Sequence, residues 1–153
     1  ARAGRRRRRE PVLDSLNAGF GVVHPRSQAR EHIEIVHFDH DAAIMAKMPT
    51  AYDLGAQRQA LGQQAIIDWM GDAGWLKKDS AQYRGFVYLG DALWFRGRIT
   101  RKYVDPDGEH CLDIETACMN QRGQNVMPGM STVALPSREK GDWPVDRRMT
   151  GRR

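Results

Sequence analysis

"DALWFRGRITRKYVDPDGEHCLDIETACMNQ", residues 91–121, decides the fold. In its first half Leu93, Phe95, Gly97 and Ile99 alternate with Trp94, Arg96, Arg98 and Thr100. A period of two sends successive side chains to opposite faces of a strand. "DPDG" at 105–108 is a turn with proline at its second position. The chain returns with Leu112, Ile114 and Thr116 alternating against Asp113 and Glu115. "RGQN" (122–125) reads as a second turn, and "VMPGMSTVALPS" (126–137) as a last strand interrupted at Pro128-Gly129. Upstream, "QYRGFVYLG" (82–90) reads as the strand that leads in. Long strands joined by tight turns predict an antiparallel meander.

Before the strands the period changes. Leu54, Leu61, Ala65, Ile66 and Trp69 recur at helical spacing, one apolar stripe over about four turns. Pro49 and Thr50 precede it, Asp53 is the expected N-cap, and Gly71 and Gly74 are the expected stops. Gly62 inside the helix lowers its stability relative to alanine, which predicts a close neighbour at that turn. A single long helix has no bundle to hide in, so the sheet must cover its stripe. The expectation is an α+β fold, one long central helix wrapped by an antiparallel β-sheet.

A chain of 153 residues with 41% hydrophobic and 28% charged residues is one ordinary globular domain. No apolar run approaches the roughly 20 residues of a membrane span, and no export signal is read. Cys111 and Cys118 are seven apart, which on a strand puts them on opposite faces; reduced cysteines and a cytoplasmic location are expected. The formal charge of +5 is uneven. Residues 1–9 hold six arginines and residues 147–153 four more, with no acid in either, so without those ten the remainder stands at −5. Nucleic-acid recognition needs positive charge on the folded surface, and this body is acidic. The reading is a basic, loosely ordered arm (1–30), the folded domain (31–138) and a basic extended tail (139–153).

"VHFDHDAAIMAKMPTAYDLGAQ" (36–57) carries the chemistry-bearing residues. His32, His37 and His40 fall within nine residues, at offsets of five and three. A metal-binding helix would need two histidines four apart and a third ligand, so no metal is expected.

Three stretches together resemble the MaoC-like acyl-CoA dehydratases and hydratases, a hot-dog family: residues 36–55, "GDALWFRGRI" (90–99) and "NQRGQNVMPGMSTVALP" (120–136). The resemblance spans residues 33–138. It implies a hot-dog fold and addition of water to, or removal from, a coenzyme A thioester, with no other cofactor. His37 matches the family's catalytic histidine and Asp39 a companion acid. The aspartate expected five residues earlier is His32 here, flanked by Glu31 and Glu34. Where the family has histidine–glycine before the central helix, this chain has Tyr52-Asp53. Tyr52, Asp53, Leu54 and Gly55 would then line the thioester at the helix N-terminus, with Arg58 one turn on as a phosphate contact or a solvated side chain. These departures resemble the small subunit of the steroid side-chain enoyl-CoA hydratases, a supporting half that completes a pair. The implied partners are an acyl-CoA and a second hot-dog subunit, the same or different, with no membrane and no nucleic acid.

The hot-dog fold also hosts acyl-CoA thioesterases, and fold does not decide function. A thioesterase would use a carboxylate on the central helix, and Asp68 is the candidate. A third class is a non-catalytic acyl-binding or nucleic-acid-associated protein that uses its arginine tails.

Overall fold

The computed structural model describes residues 21–137. The first part of the expected basic arm and the expected tail 139–153 lie outside the described residues. Between Tyr52 and Asp53 the chain divides into two compact units.

The first unit opens with an antiparallel hairpin of β1 (Gly21–Val23) and β2 (Arg30–His32), with Val22 opposite Glu31. Part of the expected loose arm is therefore a paired strand. His24 organises its turn, because Nδ1 accepts the N–H groups of Arg26 and Ser27 at 3.3 and 3.2 Å. A 3-10 helix, Ile33–His37, follows with His32 as its N-cap. Then comes α1 (His40–Met45), capped by Asp39, whose Oδ1 accepts the N–H of Ala42 at 2.9 Å.

The second unit pairs the long helix α2 (Gly55–Met70) with a sheet of β3 (Trp75–Ala81), β4 (Leu93–Val104), β5 (His110–Asn120) and β6 (Gly129–Leu135). The order is β3-β6-β5-β4 and every pairing is antiparallel. Both predicted turns form. Gly108 and Gly123 take φ of 79° and 74°, which a side chain would resist. Helix α2 stops where expected, at Gly71 with φ 73°.

Two expectations are corrected. The lead-in strand is 75–81, not 82–90; the later segment is a loop tied down by Gln82 N–H to Pro128 O and Arg84 N–H to Val126 O. The cap of α2 is Leu54, which offers no side-chain bond, because Asp53 is engaged elsewhere.

The neighbour predicted at Gly62 is present. A Cβ there would sit 3.3 Å from Phe95 of β4 and 3.4 Å from Met127. Val87, Cys118, Val126 and Met127 form the buried cluster beneath, with Ala81, Leu93 and Phe95 packed against it. Both cysteines are free and buried. Arg58, Gln59, Gly62 and Gln63 tie the helix to the rest of the unit, and of the expected apolar stripe Ala65, Ile66 and Trp69 line the space between helix and sheet, while Leu61 and Trp69 stay 52% and 54% exposed. No described helix is long and apolar enough to cross a membrane.

Candidate active site

His37 closes the 3-10 helix and is half-buried. Its Nδ1 lies 2.9 Å from the carbonyl oxygen of Tyr52. A carbonyl only accepts, so Nδ1 carries the proton and, in the neutral ring, Nε2 holds the lone pair. The Tyr52 ring stands edge-on to the imidazole, centroids 4.5 Å apart, which fixes the ring plane as well. The fold thus presents His37 in the tautomer a general base needs, with its orientation set by the backbone of the residue that ends the unit.

The other two histidine-loop candidates are otherwise occupied. Asp39 caps α1 and also accepts from Nε2 of His24 at 3.2 Å. Its carboxyl is held below the usual range, chiefly by the Ala42 N–H, against the opposing effect of burial and with the His24 bond adding to the lowering. His32 is exposed, and its Nδ1 accepts the N–H of Glu34 at 3.3 Å as the cap of the 3-10 helix. His40 meets Thr50 Oγ1 at 3.1 Å.

His24, Asp39 and Asp41 bring three potential metal-ligand atoms within 4.8 Å of one another. Each is already committed. His24 accepts two backbone N–H groups at Nδ1, so its Nε2 is protonated and donates to Asp39, while Asp41 is gripped by Arg26. The donor set is that of an ion-pair cluster.

At the start of α2 the structure departs most from the sequence reading. Arg58 is 4% exposed, not solvated. Its Nε and Nη2 grip the Asp53 carboxylate at 2.6 and 2.7 Å, and Nη1 donates to the carbonyls of Gly85 and Val126 at 3.0 and 3.1 Å. Four of its five N–H groups are thereby used within the unit. Asp53 in turn donates its own N–H to Val87 O. This bidentate pair staples the helix start to the 85–87 loop and to Val126, and it turns the Asp53 carboxylate away from the first-turn amides. Gly55 is pinned by Tyr83, whose ring would lie 3.1 Å from an added Cβ, and Tyr83 Oη donates to Gln59.

Between α2 and the sheet lies a cavity of about 420 Å³. Its walls are mostly apolar (Ile66, Trp69, Phe95, Ile99, Ile114 and Met127 among them), with Gln59, Gln63 and Asp79 as one polar group and Arg96 and Thr116 as the other polar wall residues. Asp79 Oδ2 accepts from Gln59 and Gln63 at 3.0 and 2.9 Å, and Oδ1 from Ser131 Oγ at 2.7 Å. Burial alone would raise this carboxyl, but the three donors outweigh it and hold it below its ordinary range. Sequence reading passed over this group. Two glutamines four apart on a helix facing a lone acid in "WLKKDSA" were the available signal. Asp68, the expected thioesterase carboxylate, is exposed, accepts from Gln64 at 2.7 Å and is not among the cavity walls.

No protein-family model and no curated protein matches the sequence. Solved structures do. The (R)-hydratase from A. caviae involved in PHA biosynthesis superposes with a TM-score of 0.61 at 17% identity, over 82% of this chain and 83% of that one. The ChsH1-ChsH2 complex of Mycobacterium tuberculosis gives 0.58 at 19% identity, over 66% and 75%. The truncated HadBC complex of the same organism, a 3R-hydroxyacyl-ACP dehydratase, gives 0.54 at 19%, again over 66% and 75%. At these identities the likeness is one of fold. The chain has the hot-dog fold. It is the fold of the family its sequence resembles, and the meander and the long helix are the parts that carry it.

Proposed function

We propose that this chain is a subunit of an acyl-thioester hydratase or dehydratase, working on an enoyl-CoA or its 3-hydroxyacyl product beside a second hot-dog subunit. One observation carries the reading: a half-buried histidine at the matched position, locked by a backbone carbonyl with Nε2 as its basic nitrogen. In hydration the base takes a proton from water as the water oxygen bonds to the β-carbon. The double-bond electrons pass to the thioester as an enolate, and a proton delivered to the α-carbon completes the addition. The enolate oxygen needs fixed N–H donors.

A complete acid–base pair needs a second group of different proton affinity. Asp39 is spent on its helix cap and on His24, and His32 stands where the resembled family has an aspartate. This favours the supporting half of a pair, whose partner subunit holds the working acid–base pair. The two-chain ChsH1-ChsH2 and HadBC assemblies have the same fold, which supports a pairing of that kind. The thioesterase reading draws less support, because the cavity carboxylate is Asp79, and a carboxyl held below its ordinary range is a weak base near neutral pH.

The test is loss of enoyl-thioester absorbance with the chain alone and with a co-purified partner. A supporting half gives turnover only in the pair, and His37→Ala leaves that turnover within about twofold. An active chain turns over alone, and the same substitution lowers kcat by about 10²–10⁴-fold. Turnover alone that His37→Ala leaves untouched would remove His37 from the chemistry.

A further inference from the structure

The cavity wall contains one feature that an ordinary fatty-acyl pocket does not need. Asp79 is the only carboxylate among the cavity's wall residues, most of which are apolar; besides its two glutamine partners the polar ones are Arg96 and Thr116, and neither bonds to it. A carboxylate has about four acceptor positions. Gln59 and Gln63 fill those on Oδ2, and Ser131 takes one on Oδ1, so one position on Oδ1 remains. The donors are neutral amides and a hydroxyl, so the negative charge is solvated and not cancelled. As a helix-to-sheet strut alone, an uncharged acceptor would serve as well and would avoid the cost of desolvating a charge.

We propose that Asp79 makes the cavity selective for an acyl group that carries a hydroxyl beyond its β-carbon, the hydroxyl donating to the remaining Oδ1 position. This rests on the acyl-thioester reading of the site. A plain alkyl chain filling the cavity strips water from Oδ1 and returns nothing. A hydroxyl at the right carbon takes the water's place with a charge-assisted bond. A site built to bond a substrate hydroxyl discriminates against the analogue lacking it.

The experiment is calorimetric titration of the full chain with a saturated acyl-CoA and with its counterparts hydroxylated at successive carbons beyond C3. Saturated thioesters without a 3-hydroxyl do not turn over in a hydratase, so the readout is equilibrium binding. One hydroxyl position should bind at least tenfold more tightly than the plain chain, about 1.4 kcal/mol. Asp79→Asn should bring that preference to within about threefold of unity, by the same constant about 0.65 kcal/mol or less. Ser131→Ala keeps the carboxylate and the two glutamine bonds while freeing a second position on Oδ1, so it should keep or enlarge the preference. This variant decides the matter should Asp79→Asn fail to fold. Equal binding of plain and all hydroxylated chains overturns the selectivity and leaves the acyl-CoA reading standing. Failure of every acyl-CoA to bind overturns both.

Discussion

Asp53 and Asp79 are half-buried carboxylates in the same unit, and each holds α2 in place, yet their surroundings are opposite in kind. Asp53 faces a guanidinium that closes on it in two parallel bonds, so its charge is cancelled and both its oxygens are bonded by one partner. Asp79 faces two amides and a hydroxyl from three different residues, so its charge survives with room for one more donor. The first arrangement suits architecture. The second suits recognition.

Breaking Asp53's partner should have the largest effect. Arg58→Leu leaves the Asp53 carboxylate and the carbonyls of Gly85 and Val126 without their donors, and removing one member of a buried pair typically costs about 3–5 kcal/mol. Chemical denaturation should show a midpoint well below that of the parent chain. A loss under about 1 kcal/mol would mean that water replaces the guanidinium, and Asp53 would then be no more architectural than Asp79.

A smaller effect is expected on the other side of the comparison. Gln63→Leu removes one of three donors to Asp79 and leaves Gln59 and Ser131 in place. The loss should be about 1 kcal/mol by the same denaturation measurement. A loss equal to that of Arg58→Leu would show that Asp79 is as much an architectural staple as Asp53, and would weaken its assignment to ligand recognition.

The same contrast explains what the sequence made legible. Strands β4 and β5 and their turn announce themselves because alternation, Pro106 and Gly108 all agree. The expectation for His37 is local too, since its position in the motif is visible without any partner. Strand β3 is hidden: "WLKKDSA" shows no clean alternation, a register shift falls between Leu76 and Lys78, and the charge of Asp79 is acceptable only because side chains from α2 and β6 reach it. Arg58 is hidden for the same reason, with donors directed to carbonyls 27 and 68 residues away. The sheet-facing side of the helix is legible only in part, because the apolar stripe shows Ala65, Ile66 and Trp69, which line the cavity, but not the staple, the two glutamines and the glycine that tie the helix down. Long-range polar satisfaction, unlike hydrophobic periodicity, leaves no regular trace in a sequence.

The smallest effect separates Asp79 from its amide counterpart by pH. Its carboxyl is held below the unfolded value of about 3.9 by Gln59, Ser131 and Gln63, against the opposing effect of burial. A group whose folded pKa is depressed contributes its full stability above the unfolded pKa and loses it as pH falls through the folded value. Asp79→Asn has no such group, so its stability should decline less steeply than the parent's as pH drops below about 4. Asp105, held at about 2 chiefly by the Lys77 bond, and Asp91, held low by Arg122, titrate in both proteins. Their contribution cancels when the two curves are subtracted. What remains is the acid-side slope of Asp79 alone. Parallel curves would mean that Asp79 has the same proton affinity folded and unfolded, and its three donors would then be compensating for burial without making the carboxylate an anion fixed for recognition.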